Sequence, residues 1–183
     1  MSQVELASPL NRNWSPNFGA ASRWLVLPNR ATGQTLIDIA GRNNGTLTNG
    51  AVFSRDKSGG GFGSLLLDGT NDYVDLGSPV SLNITGAFSF CCWYRNTASK
   101  SNQAFIACCN GGGTLANYAV TYNFNPNKFE FWNNASGPVI SSTASLSDTS
   151  WHHFACVRSG SNGSWNVSLY IDGVLDKSGT SAI

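Results

Sequence analysis

Charge is what this chain has least of. Only 11% of its 183 residues are Asp, Glu, Lys or Arg, against about 25% in an ordinary globular protein. The net charge is +1, and Lys57, Lys100, Lys128 and Lys177 are scattered. Binding to a phosphate backbone needs concentrated cations, so nucleic acid is excluded as a partner. No apolar run approaches the ~20 residues that cross a bilayer, so no membrane insertion is expected. Residues 1–21 are polar, contain Pro9 and Pro16, and lack the apolar centre of a secretory signal. The expectation is a protein that stays where it is made, or leaves without a cleaved signal, as by assembly into a virus particle. No segment carries a helical period. The five cysteines, Cys91-Cys92, Cys108-Cys109 and Cys156, include no CxxC. Adjacent strand residues point to opposite faces, which argues against a zinc cluster. Free thiols packed as small hydrophobes are expected, with a cross-strand bridge as the alternative. Gly59-Gly60-Gly61 is followed by neither a helical pattern nor Gly-Lys-Ser/Thr, so a nucleotide loop fails.

What is present is alternation. In residues 151–158, Trp151, His153, Ala155 and Val157 share one face, and His152, Phe154, Cys156 and Arg158 the other. In 165–172, Trp165, Val167, Leu169 and Ile171 form an apolar face. Asp172-Gly173 then predicts a tight hairpin into 174–176, because a type I′ turn needs positive φ at both central residues. Residues 87–95 are apolar on both sides, as for a central strand covered on both faces. Further short runs lie at 24–27, 35–39, 46–47, 51–53, 65–67, 73–76, 103–109, 118–124, 128–133 and 139–142, with turn signals such as Asn44-Gly45 and Asn49-Gly50 between them. Such a series predicts an all-β fold, a two-sheet antiparallel β-sandwich, large enough at this length to bury its own core. Residues 1–23 read as an N-terminal arm anchored by Trp14 and Phe18, and 24–183 as the sandwich domain.

Two stretches carry candidate chemistry. Asp68, Asn71, Asp72 and Asp75 could offer oxygen ligands to Ca2+, although the spacing is not that of an EF-hand loop. The other reading has Asp and Asn capping the turn by accepting backbone N–H groups. Trp132, Asn133 and Asn134, beside Tyr122, combine aromatic surface with amides, the combination that stacks on and bonds a sugar. The sequons at Asn44, Asn83, Asn134, Asn162 and Asn166 are expected to reflect composition rather than glycosylation.

The stretches LLLDGTNDYVDLG (65–77), AFSFCCWYR (87–95), WHHFACVR (151–158) and SLYIDGVLD (168–176), in that order, resemble the laminin G-like, concanavalin A-like jelly-roll family. The opening PLNR…WLVLPN…TLIDIAGRNNGTLTNG is similar to a lead-in found before such domains in bacterial and phage sequences. The resemblance implies a two-sheet sandwich that binds carbohydrate or protein, often with calcium at one edge. Family members continue past the YIDG hairpin with further strands. A fragment, or a last strand supplied by a neighbouring subunit or the arm, is therefore expected.

Enzymes of this fold that cleave glycans need two flanking carboxyls, on one strand as Glu-x-Asp-x-x-Glu. Here the only glutamates are Glu5 and Glu130, and nothing acidic pairs with Glu130 along its strand. No Gly-x-Ser-x-Gly elbow occurs, and His152 and His153 point to opposite faces. The sequence thus predicts no catalysis. It predicts a lectin-like virion component, a phage decoration or adsorption protein at the particle surface, forming a homo-oligomer or docking on other virion proteins and contacting cell-surface glycans. A bacterial secreted or cell-surface adhesion module is the alternative.

Overall fold

The computed structural model describes residues 33–56, 63–97, 103–109, 115–123, 127–133, 138–161 and 164–181. The arm at 1–23 and the run at 24–27 lie outside these residues. The chain divides into two compact units, Met1–Leu82 and Asn83–Ile183.

In the first unit, β1 (Thr35–Leu36), β2 (Gly45–Thr48) and β5 (Tyr73–Asp75) form one sheet in the order β1-β2-β5, and β3 (Val52–Ser54) pairs with β4 (Ser64–Leu66). Asn44-Gly45, read as a turn, instead opens β2. A Cβ on Gly45 would stand 2.3 Å from Val74 Cγ1, so the glycine serves close strand approach. The turn lies just before it. There Asp38, 2% exposed, accepts the N–H groups of Ala40, Arg42 and Asn43, and Asn44 Oδ1 accepts that of Asp38. A 3-10 turn, Val80–Leu82, ends the unit.

The second unit is a sandwich. Its first sheet has the order β10-β9-β8-β7, from β7 (Gln103–Cys109), β8 (Leu115–Asn123), β9 (Lys128–Trp132) and β10 (Ile140–Ser141). The second has the order β13-β12-β11-β6, from β6 (Phe88–Tyr94), β11 (His152–Ser161), β12 (Ser164–Ile171) and β13 (Val174–Ser181). All pairings are antiparallel. The predicted hairpin is present, with positive φ at Asp172 (51°) and Gly173 (80°). The run foreseen at 174–176 extends to Ser181. Strand β6 lies at the end of its sheet among the described residues, pairing only with β11, rather than at the centre.

Alternation decides which side chains meet in the gap. Phe154, Cys156, Val167 and Leu169 from one sheet and Val120, Phe129 and Phe131 from the other are fully buried. Aromatic rings carry most of the contact: Phe129 stacks on Phe154 at 4.2 Å between centroids, and Tyr94 meets Tyr122 at 4.9 Å. Offset and tilted ring pairs add about 0.5–1.5 kcal/mol each beyond area burial. Arg158 shares that face and is 1% exposed. Its guanidinium lies 4.9 Å from the Phe88 ring and 5.1 Å from that of Trp165. It donates to the carbonyls of Ile84 and Gly86, closing the segment that enters β6. Cys91, Cys92, Cys108 and Cys156 are free thiols. Burial raises the Cys156 thiol to about 12 and Cys92 well above its ordinary value, so neither is a nucleophile at neutral pH.

Candidate functional site

Strand β9 sets its odd-numbered phenylalanines, Phe129 and Phe131, into the sandwich. That turns Glu130 and Trp132 to the outer face of their sheet. Register then builds a cross-strand row: Thr121 of β8 lies opposite Glu130, and Ser141 of β10 lies opposite it on the other side. The Trp132 indole Nε1–H donates to Thr121 Oγ1 and to Glu130 Oε2, both at 3.1 Å. Ser141 Oγ donates to Glu130 Oε1 at 3.3 Å. Both carboxylate oxygens thus accept from neutral donors, and the carboxylate is 5% exposed although it sits on an outer face. The shared N–H draws the half-buried indole back along β9 over this row. The next row is small: buried Ala119 (6% exposed) lies opposite Trp132, and exposed Ala107 lies opposite Ala119. The arrangement is a fixed aromatic plane on the outer face of the sheet with the small exposed Ala107 on the same face two strands away.

The sequence candidates divide on this geometry. Trp132 is in place. Asn133 follows it and is buried, 8% exposed, and Asn134 lies outside the described residues. Tyr122 does not join them. It lies opposite Phe129, has that residue's parity, and faces the core at 1% exposure. Its hydroxyl donates to the Leu146 carbonyl at 2.6 Å and bonds Asn127 Oδ1. Burial raises its phenol above the ordinary value, the hydrogen bond to Asn96 notwithstanding. Tyr122 is a core residue, so it offers no ring to a sugar. Thr121, Glu130 and Ser141 were missed as members of the site. Only the Phe129-Glu130-Phe131 alternation hinted at Glu130.

The acidic turn is built for capping. Asp68 Oδ1 accepts the Thr70 N–H at 2.7 Å, Asp72 Oδ2 that of Asp68 at 2.9 Å, and Asp75 Oδ1 that of Gly77 at 2.7 Å. Asn71 contributes its carbonyl to Asn49 Nδ2. Among the described residues no group of three or more His, Cys, Asp or Glu side chains could hold a metal ion. Turn capping accounts for one oxygen of each carboxylate, while Asp72 Oδ1 is buried without a hydrogen-bond partner.

A third polar cluster joins β11 to the β12–β13 turn. His152 Nδ1 lies 2.7 Å from Asp172 Oδ2, and Nε2 lies 3.0 Å from Asp148 Oδ1, while Asp172 Oδ1 accepts the His153 N–H. Burial lowers the imidazole pKa, but the hydrogen bonds to Asp172 and Asp148 outweigh it and leave the group raised. The two carboxylates sit on opposite ring nitrogens, which is a clamp rather than a metal triad. Asp176 of β13 likewise accepts the N–H groups of Thr143 (2.6 Å) and Ala144 (2.8 Å), tying the loop after β10 to the other sheet.

Two antiparallel sheets over an aromatic core define a β-sandwich. Residues 68–183, more than half of the chain, match the family model described as the concanavalin A-like lectin/glucanases superfamily, of laminin G type, and the chain belongs to that family. No curated protein and no solved structure matches it.

Proposed function

We propose that this protein is a non-enzymatic carbohydrate-binding module whose contact surface is the Trp132 platform. The observation that carries the reading is the doubly anchored indole, held by Thr121 and Glu130 on the face that carries the exposed Ala107. Sugars present apolar C–H faces that stack on such a ring, and a pre-fixed ring loses little entropy on binding. A hydrolase reading is disfavoured because glycosidases need two carboxyls across the scissile bond. Glu130 has Thr121, Ser141, Lys128 and Trp132 as its neighbours in register and along the strand, and none is acidic. A glycan array probed with the native chain and with Trp132→Ala tests the proposal. Binding that disappears in the variant supports it, and binding that persists contradicts it.

For placement, the reading favoured is display on a phage particle, within an oligomer or docked on other virion proteins, where the domain would contact cell-surface glycans. The sparse charge and the phage-like lead-in support this. Copurification with capsid or tail proteins would support it. Recovery with cell-envelope glycans would favour a secreted or cell-surface adhesion module instead.

A further inference from the structure

We infer that the Trp132 platform takes neutral sugars and discriminates against acidic ones, with Glu130 as the residue that sets this preference. The inference rests on the carbohydrate-binding reading above and adds the ligand class to it.

Glu130 lies under the platform rather than beside it. Its Oε2 accepts the indole N–H of Trp132 and its Oε1 accepts the Ser141 hydroxyl, and it is 5% exposed. Both donors are neutral, as is Thr121 across the strand, so no partner in this network cancels the carboxylate charge. Lys128, the only cation on β9, shares this outer face but directs its ammonium to the Thr143 carbonyl rather than to Glu130, so its charge offsets the carboxylate only in part. A ligand stacked on the indole therefore sits in the field of a buried negative charge. For a neutral pyranose this field is harmless, and an indole whose N–H bonds a carboxylate presents a more electron-rich face to sugar C–H groups. For a uronate or sialate, a like charge about 7 Å away at an effective dielectric of about 20, screened over a Debye length of about 8 Å at physiological salt, weakens binding by roughly three- to tenfold. Rejection by a like charge is a common way to build specificity. Glu130 touches Trp132, not the ligand, so it is a positioning residue that also supplies the field.

The test measures, on the full chain, the dissociation constants of matched neutral and uronic forms of one sugar, chosen from the array hits. The native protein is expected to prefer the neutral form roughly three- to tenfold, with the ratio moving toward one as salt screens the charge. Glu130→Gln keeps an acceptor for the indole and is expected to bring the neutral-to-uronate ratio close to one at low salt; the ratio of two sugars on one protein is read, so a change in overall affinity does not move it. Equal or tighter binding of the uronate, or a ratio insensitive to salt, overturns the inference while leaving the platform standing. Native binding unaffected by Trp132→Ala, or no binding of either sugar, overturns the platform and the inference with it. The salt series needs no variant, so a Glu130→Gln protein that fails to fold does not block the test.

Discussion

The turn at 68–77 and the row beneath Trp132 both gather carboxylates and neutral polar groups, yet they are built in opposite ways. In the turn each carboxylate accepts a backbone N–H two or four residues away in sequence. In the row one carboxylate accepts from its i+2 tryptophan and from Ser141, which is 11 residues away on β10, while Thr121 reaches the same indole from β8. The turn folds on itself. The row exists only when three strands are in register, and that is why it can hold a side chain still. Local polarity makes a cap, and cross-strand polarity makes a platform.

The comparison is sharpest where its parts are broken one at a time. Removing what brings the strands together should do most. Phe129→Ala, which empties the centre of the aromatic core, is expected to cost about 3–5 kcal/mol in denaturant unfolding. Next comes Glu130→Ala, which leaves the Ser141 hydroxyl and half of the indole N–H bond without a partner at a buried site. It should cost about 2 kcal/mol by the same measurement. Trp132→Ala should weaken glycan binding at least about tenfold while the far-ultraviolet circular dichroism stays native, as expected for a central aromatic contact. Asp68→Ala removes one exposed turn bond and should cost only about 0.5–1 kcal/mol with glycan affinity unchanged. A larger loss at Asp68 than at Glu130 would break the comparison outright.

The smallest effect belongs to the His152 clamp. Its folded pKa is raised above the ordinary 6.5, so its stabilisation is complete below that pH and is lost as pH rises through the folded value. Asp148 is shifted the other way. The Ser150 backbone N–H and then His152 lower it below 3.8, so its contribution is present above that pH and is lost as pH falls through the folded value. The clamp should therefore support the β12–β13 turn most between about pH 4 and 6.5. Because Asp148 and Asp172 are solvent-exposed, the gain should stay under about 1 kcal/mol. Thermal unfolding of the native chain and of His152→Gln across this range checks the sign: their difference should shrink above neutrality.

Much of the sandwich was legible because it is written in neighbouring residues. Phe154, Cys156 and Arg158, and Trp165, Val167, Leu169 and Ile171, alternate cleanly and face the core, and Asp172-Gly173 states its own turn. Short pieces such as Thr35–Leu36 carry too few residues for period or length to show, and the reading of 35–39 ran past the strand. Gly45 looked like a turn because its requirement, room for Val74, comes from a strand nearly thirty residues on. The site was half legible for the same reason. Trp132 announced itself by residue type, but its anchors Thr121 and Ser141 depend on the registers of β8 and β10 against β9. Tyr122 was grouped with Trp132 by proximity of the loops. The pairing Tyr122↔Phe129 gives it the opposite face, and parity across a strand pair decides where nearness does not.

The most direct test of the platform is the amide and indole 15N spectrum of the chain titrated with a neutral glycan that scores on the array. The six tryptophans give separable Nε1–H signals, with that of Trp132 assigned by its loss in Trp132→Phe. The account predicts that the Trp132 signal and the Ala107 and Ala119 amides move together with ligand while those of the 68–77 turn stay fixed. A titration in which Trp132 is unmoved and the turn, or another tryptophan, responds would contradict it.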